Sequence, residues 1–197
     1  TQYGMKVNLC PDQNIILCDI VESDKPAIEK TLKEHGVLLR EDITDVDRFS
    51  LACVALPTCG KALAEAERVR IPMIEQLENS MEKFGIKQEK IAVKIAGCPN
   101  GCSRPYTGDI GIVGRTPGHY AIFIGGDFEG TRLNSKILDR VPYDNLPEIY
   151  DILFASYAKN RQPSEGFGDY ANRVNENTLA AAIESQLGER YKWAKAA

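Results

Sequence analysis

Residues 91–102 read IAVKIAGCPNGC, in which an alternating apolar segment is followed directly by a motif rich in glycine and cysteine. Its first half alternates branched apolar residues with Ala and Lys, a period of two that predicts a β-strand. The strand runs directly into a glycine-rich loop in which Cys98 and Cys102 are separated by three residues. Glycine permits positive φ angles and lets backbone N–H groups approach a ligand closely. The segment therefore predicts a strand whose end presents two thiols to a cofactor.

A second pair of cysteines lies 38 residues upstream in the stretch LACVALPTC at residues 51–59. Cys53 and Cys59 are separated by five residues. The Ala- and Glu-rich segment from Gly60 to Arg70 is predicted to be helical, so Cys59 would stand at a helix start. The dipole and the free N–H groups of a helix N-terminus favour a thiolate or an anionic cluster.

Four thiolates in two pairs can ligate an iron–sulfur cluster or a zinc ion. Zinc sites favour pairs separated by two to four residues, so the wider spacing of the first pair disfavours zinc. The plainer alternative is that these are buried structural cysteines, because cysteine often behaves as a small hydrophobe. Cys10 and Cys18 have apolar neighbours in two leading strands and are predicted to be packed thiols rather than ligands.

The composition bounds the class of protein. The chain has 197 residues, 43% of them hydrophobic and 26% charged, with a formal net charge of -4. These values are typical of a soluble globular protein. No apolar stretch approaches the roughly 20 residues that a membrane helix needs, and the acidic balance argues against a nucleic-acid binder. Six cysteines are also too few for a disulfide scaffold.

Strands and helices interleave along the chain, which predicts an α/β (α+β) fold with a mixed β-sheet flanked by helices. The glycine-rich segment 165–170 is predicted to be a loop, and Pro72 is predicted to start a new helix. The first residues already have the alternation of a half-buried strand, so we expect the chain to be a piece of something longer. The predicted elements are strands at 5–9, 15–20, 91–96, 109–113 and 120–124, and helices at 23–36, 60–70 and 72–85, after Asn145 and from about Asn177 to Tyr191.

The cysteine motifs resemble those of the sirohaem-containing sulfite and nitrite reductases. The first cluster motif of that family is similar to ACVALPTC at 52–59 with ALAEAER at 62–68, and the second is similar to GCPNGCSR at 97–104. Three further stretches fall in the family's order: GIVGR at 111–115, GG at 125–126 and EGFGD at 165–169. The resemblance covers nearly the whole chain and thins after about Val174.

This resemblance implies a ligand set. In that family four cysteines hold a 4Fe–4S cluster, and the last of them is shared with the sirohaem iron. Carried onto this chain, the ligands are Cys53, Cys59, Cys98 and Cys102, with Cys102 as the shared one. Asn100 and Arg104 are candidate cofactor-binding residues, since Arg104 could pair with a sirohaem carboxylate. The alternatives remain that Arg104 is an exposed loop charge and that Asn100 only shapes the turn.

The resemblance also implies a function and two domains. Residues 1–42 would end a ferredoxin-like sulfite/nitrite reductase half-domain, and residues 43–197 would form the 4Fe–4S/sirohaem-binding domain. The expected protein is an assimilatory-type sulfite reductase that reduces sulfite to sulfide with six electrons, and this chain would be its C-terminal part. Nitrite reduction to ammonia and a non-catalytic metal- or cluster-binding fragment are the alternatives.

Partners and compartment follow from the same resemblance. The electron donor would be ferredoxin or a flavoprotein, and the compartment the cytoplasm, or a plastid in a photosynthetic eukaryote. The family's catalytic cations lie in the N-terminal part, so no catalytic residue is assigned in this chain. His35 and His119 fit no haem-ligand arrangement and are predicted to have structural roles at a helix end and a strand entry.

Overall fold

The computed structural model describes residues 3–11 and 13–188, which form two compact units that divide between Thr44 and Asp45. In the first unit, β1 (Lys6–Leu9) and β2 (Ile15–Cys18) form an antiparallel hairpin in which Leu9 pairs with Ile15. A 3₁₀ turn then leads into α1 (Lys25–Glu34). His35 is the C-cap residue of this helix, and Gly36 follows with φ +72°, as the sequence predicted for a helix end.

The burial predicted for the first two strands was wrong. Val7 is 51% exposed, Leu9 84%, Ile15 61% and Ile16 53%. Alternation shows which side chains share a face, but two strands and one ten-residue helix offer little surface with which to cover that face. Cys10 and Cys18 are accordingly only half-buried, and solvent reaches part of each residue.

The second unit is built on a five-stranded sheet in the order β3-β4-β5-β6-β7. The first three strands are parallel to one another, and β6 and β7 are antiparallel to their neighbours. This mixed sheet with its flanking helices confirms the predicted fold class. In chain order the elements are α2 (Asp45–Phe49), β3 (Leu51–Ala52), α3 (Glu67–Lys83), β4 (Val93–Ala96), β5 (Ile110–Thr116), β6 (His119–Ile124), β7 (Ser135–Pro142), α4 (Leu146–Asn160), α5 (Phe167–Val174) and α6 (Glu176–Leu187).

The core lies between one face of the sheet and the helices, where α3 packs on α4 and α4 on α6. Branched residues of β4, β5 and β6 meet the apolar stripes of these helices. Full burial of one such side chain stabilises the fold by roughly 1.5–3 kcal/mol. Representative core residues, none more than 1% exposed, are Leu77, Met81, Val93, Ile95, Ile112, Ile122, Leu153 and Phe154.

Two helix predictions in the middle of the chain were wrong. Residues 60–66 are turns and bends, and a single helix, α3, runs from Glu67 with Pro72 inside it. The reason is where the backbone hydrogen bonds go: the amides of Leu63 and Ala64 donate to the carbonyl of Gly97 rather than along a helix. Pro72 is the sixth residue of α3 and lies on its exposed side, so solvent can reach the Arg68 carbonyl that the missing N–H leaves without a helical partner.

Three predictions at the end of the chain had different outcomes. The segment predicted as a glycine-rich loop holds the start of α5 at Phe167, because Gly168 packs closely against the backbone of Gly126. Asn145 does precede α4, but its side chain makes no capping hydrogen bond. The last helix begins one residue before Asn177, and Tyr191 of its predicted stripe lies outside the described residues.

Candidate metal centre

The two cysteine pairs follow two neighbouring strands. In the parallel pairing of β3 with β4, Ala52 lies opposite Ile95, and the Cys53 amide donates to the Ile95 carbonyl at 3.1 Å. Cys53 comes directly after β3, and Cys98 comes two residues after the end of β4. Because the carboxyl ends of parallel strands meet at one edge of a sheet, both pairs begin at the same edge.

The two loops are joined at Gly97. Its amide donates a hydrogen bond to the Cys53 Sγ at 3.2 Å, and its carbonyl accepts from the amides of Leu63 at 2.8 Å and Ala64 at 3.0 Å. A Cβ added to Gly97 would lie 2.5 Å from the Cβ of Ala55 and 2.7 Å from the Ala64 carbonyl oxygen. The junction therefore has no room for a side chain at residue 97.

The first loop places Cys59 in a turn, not at a helix start. The Cys59 amide donates to the carbonyl of Ala55 at 2.7 Å, and Ala55 has a left-handed φ of +48°. Helix α3 begins eight residues later, where the amide of Glu67 donates to the Cys53 carbonyl at 3.0 Å. The helix start thus meets the Cys53 residue, and the expectation of a helix dipole at Cys59 was wrong.

The second loop buries one thiol and exposes the other. Cys98 is 8% exposed, whereas Cys102 is an exposed residue. The left-handed backbone that the sequence suggested for Asn100 belongs instead to Gly101, with φ +69°, and to Arg104, with φ +56°. The hydroxyl of buried Ser103 donates to the Ile95 carbonyl at 2.7 Å and ties the end of the loop to β4.

Arg104 stands on the surface beside this loop. Within the described part of the chain its guanidinium makes no hydrogen bond or ion pair. Lys94, on β4, donates to the hydroxyl of Thr107 at 2.8 Å. Burial lowers the pKa of the Lys94 ammonium, and the positive charge of Arg104 lowers that pKa further. Arg115, another basic residue near the cysteines, is bound to Asp139 at 2.7 Å.

All six cysteines are free thiols. Among residues 3–11 and 13–188, no three or more His, Cys, Asp or Glu side chains are grouped so as to hold one metal ion. A 4Fe–4S cluster needs a different arrangement, four thiolates in total on a multi-iron core. The four thiols on two loops that meet at Gly97 match that donor set in number, and one backbone N–H, that of Gly97, reaches the sulfur of Cys53.

Sequence reasoning missed Asp109, a carboxylate that is only 3% exposed. Its Oδ2 accepts from the amide of Ala92 at 2.7 Å and its Oδ1 from the amide of Gly168 at 3.2 Å. Burial raises the pKa of this carboxyl to about 6, against the lowering effect of these hydrogen bonds. Asp109 lies at the opposite end of β4 from the cysteines, and an Asp before a strand carries no sequence signal of burial.

A sequence model described as the nitrite and sulphite reductase 4Fe-4S domain matches residues 48–191. The chain belongs to this family. Its similarity to a sulfite reductase (NADPH) hemoprotein beta-component from Afipia carboxidovorans is 42% identity over 84% of this chain and 28% of that protein. A protein of the same description from Shewanella pealeana is 41% identical over 88% of this chain and 30% of its own length. The chain thus spans less than a third of these curated relatives.

One solved structure has a similar fold. The structure of the Mycobacterium tuberculosis NirA protein matches with a TM-score of 0.74 and 22% identity, over 90% of this chain and 34% of that one. In the described residues, no helix combines the length and the apolar character that crossing a membrane requires.

Proposed function

We propose that this chain is the cluster-bearing C-terminal part of a sirohaem-dependent sulfite reductase, an oxidoreductase of the assimilatory type. Its curated relatives are described as sulfite reductase (NADPH) hemoprotein beta-components, and they are more than three times as long as the matched segment. We propose further that residues 1–42 end a ferredoxin-like half-domain and that residues 43–197 form the domain that binds the cluster and sirohaem. Catalytic cations would then be supplied from outside this chain.

The observation that carries the proposal is the junction at Gly97. It ties the loop of Cys53 and Cys59 to the loop of Cys98 and Cys102 through one amide–sulfur and two backbone hydrogen bonds. Hydrogen bonds from amides to sulfur are one of the means by which proteins set the reduction potential of an iron–sulfur cluster. We therefore assign these four cysteines as the cluster ligands.

The two thiols of the second loop differ in their exposure to solvent, which suits them to different roles. Cys98 is buried and can face only the protein side of a cluster, whereas Cys102 is open to the outside. An exposed ligand can be shared with a second group without moving the loop. This supports the assignment of Cys102 as the ligand common to cluster and sirohaem.

Bound together, the 4Fe–4S cluster and the sirohaem would supply stored electrons and an iron that binds the substrate. The role of this chain would be to hold the thiolates in place and to bind the macrocycle through polar groups. Arg104 suits this task because its guanidinium has no partner among the described residues and can bind a carboxylate in two-pronged fashion. Asn100 is exposed between the two thiols and can offer its amide to the same group.

Sulfite is our preferred substrate because the curated relatives are described as sulfite reductases, and nitrite is the alternative within the same chemistry. Their description also specifies NADPH, so we propose a flavoprotein as the electron donor, with ferredoxin as the second choice. The cytoplasm is the compartment in which such donors are found, with the plastid as alternative.

A non-catalytic cluster-binding fragment is the second candidate function for the chain alone. It is favoured by the small number of basic side chains near the cysteines, one of which, Arg115, is already bound to Asp139. An anionic cofactor with an anionic substrate requires more positive charge than Lys61, Lys94 and Arg104 provide.

The test is an assay of the longer protein that we expect to contain this chain. With reduced methyl viologen as electron source, sulfide should form from sulfite, and Cys102→Ser should abolish that activity. Cys18→Ser is the matched control, since it removes a thiol from β2, outside the proposed site. Full activity in Cys102→Ser would refute the shared-ligand role, and ammonia formation without sulfide formation would move the assignment to nitrite.

A further inference from the structure

Tyr106 lies in the short 3₁₀ turn Pro105–Thr107, just after the second cysteine loop. Its hydroxyl donates a hydrogen bond to the carbonyl of Pro99 at 2.9 Å. Pro99 directly follows Cys98 and lies within the loop between the two thiols. A side chain outside the loop therefore holds the part of the loop that separates its two cysteines.

The ring of Tyr106 also fixes the loop from one side. A Cβ added to Gly101 would lie 2.9 Å from the Cε2 atom of Tyr106, so the ring rests directly against the Gly101 backbone. On its other side the ring meets Phe123 of β6 edge-on, with centroids 5.2 Å apart and planes at 77°. Tyr106 thus fills the space between the loop and the sheet.

The turn that carries Tyr106 is itself anchored. The side-chain amide of Asn134 donates to the carbonyls of Pro105 at 2.7 Å and Gly108 at 3.0 Å, while its backbone amide donates to the carbonyl of Tyr106 at 2.9 Å. A Cβ on Gly111 of β5 would lie 2.2 Å from the Pro105 carbonyl oxygen, so the turn lies flat on the sheet. The position of Tyr106 is therefore set by the sheet and by the segment leading into β7.

The loop has few hydrogen bonds of its own. Within it, the Gly101 amide donates to the Cys98 carbonyl at 3.3 Å, a long bond, and Pro99 has no amide hydrogen to donate. Pro99 and Asn100 are exposed, so packing restrains them little. The end of the loop is held by the Arg104 amide, which donates to the Gly101 carbonyl at 2.8 Å, and by Ser103, whereas the Pro99 carbonyl in its middle is held by Tyr106.

We propose that Tyr106 is a positioning residue that holds the Cys98–Cys102 loop in the shape that receives the cluster. This inference rests on the proposed function, because the shape of the loop matters for the cluster only if Cys98 and Cys102 are ligands. Phenols are neutral donors at physiological pH, so the hydrogen bond persists across the working range.

The first test measures the loop without any cofactor. In the purified 197-residue chain with free thiols, iodoacetamide labelling of Cys98 and Cys102 is followed by peptide mass spectrometry. Tyr106→Phe keeps the ring and removes the hydroxyl. Because one hydrogen bond contributes about 1 kcal/mol net, the buried Cys98 should be labelled about fivefold faster, while the exposed Cys102, an internal reference, should change little.

Tyr157→Phe is the matched control. Its hydroxyl also donates to a backbone carbonyl, that of Glu165 at 2.7 Å, but it lies on α4 among the core aromatics. This variant should leave the labelling of Cys98 unchanged. Equal labelling of Cys98 in wild type and Tyr106→Phe, or an equal acceleration in Tyr157→Phe, would overturn the proposal.

The second test uses the chain reconstituted with iron and sulfide, in which the cluster's reduction potential and its electron paramagnetic resonance spectrum are measured. Tyr106→Phe should shift the potential and the spectrum at unchanged iron content, and Tyr157→Phe should not. Identical potentials and spectra in Tyr106→Phe and wild type would contradict the positioning role. A wild-type chain that takes up no cluster would defeat the proposed function instead, and the labelling result would still decide whether Tyr106 holds the loop.

Discussion

The backbone amide of Gly97 donates a hydrogen bond to the sulfur of Cys53 at 3.2 Å, and this contact helps to join the two cysteine-bearing loops. It exists because β3 and β4 are parallel neighbours that end at the same edge of the sheet. Residue 97 must be glycine for the loops to close, since a Cβ there would lie 2.5 Å from the Cβ of Ala55 and 2.7 Å from the Ala64 carbonyl oxygen. The geometry of the proposed cluster site therefore depends on a missing side chain.

The first prediction concerns this junction. Gly97→Ala should destabilise the chain by about 1–3 kcal/mol and strongly reduce iron uptake, because the new methyl group forces the two loops apart. Urea unfolding and iron analysis check it. Gly60→Ala is the matched control, since Gly60 lies in the first loop with no atom within 4 Å of an added Cβ. Similar iron contents in the two variants would show that the junction does not shape the site.

The second prediction concerns Arg104. In the longer, sirohaem-loaded protein, Arg104→Gln should weaken sirohaem retention about tenfold or more, because a charge-assisted hydrogen bond contributes about 1.5–3 kcal/mol. Haem content after dilution or gel filtration measures this, while iron in the cluster should be unchanged. Arg140→Gln removes an equally exposed guanidinium from β7 and should have no effect. Equal retention in both variants would leave Arg104 as a surface charge.

The third prediction concerns pH and Asp109. The pKa of this carboxyl is about 6 in the folded chain because burial disfavours its charge, whereas an unfolded Asp has a pKa near 3.9. The folded state therefore binds more protons between these values, so the stabilising effect is complete below about pH 4 and is lost as pH rises through 6. Over that interval the free energy of unfolding should fall by about 3 kcal/mol relative to Asp109→Asn.

Urea unfolding of wild type and Asp109→Asn between pH 4 and 8 checks this. The charged groups that act on Asp109 are Asp169, which raises its pKa, and Lys94, whose own pKa the Asp109 carboxylate raises. Asp127→Asn gives a control of opposite sign, since the hydrogen bond from Thr131 lowers the pKa of Asp127 and its contribution is lost as pH falls. Parallel pH curves for wild type and Asp109→Asn would contradict the prediction.

Much of the fold could be predicted from sequence because its signals were local. The alternation in 91–96 predicts β4, and the paired cysteines predict where the chemistry lies. The prediction of a helix at 60–70 was wrong because the amides of Leu63 and Ala64 donate to the carbonyl of Gly97, which is distant in sequence. These hydrogen bonds override the helix propensity of the segment. The helix at 167–174 was missed because the glycine at 168 was read as a loop signal, whereas it allows close approach to Gly126.

The candidate site shows the same division. The spacing of its four cysteines can be recognised in the sequence, but the residues that hold the cysteine loops in place cannot. Tyr106 and Asn134 act through partners that lie between 7 and 29 residues away along the chain. No periodicity or motif connects such residues, because the contacts exist only once the sheet has formed.

We infer that Cys53, Cys59, Cys98 and Cys102 together hold a 4Fe–4S cluster. The most direct measurement is iron and acid-labile sulfide per chain after anaerobic reconstitution of wild type and of the six single Cys→Ser variants. We predict about four irons and four sulfides in wild type, Cys10→Ser and Cys18→Ser, and a large loss in each of the other four. One zinc per chain without sulfide, or losses in Cys10→Ser and Cys18→Ser as large as in the proposed ligands, would contradict it.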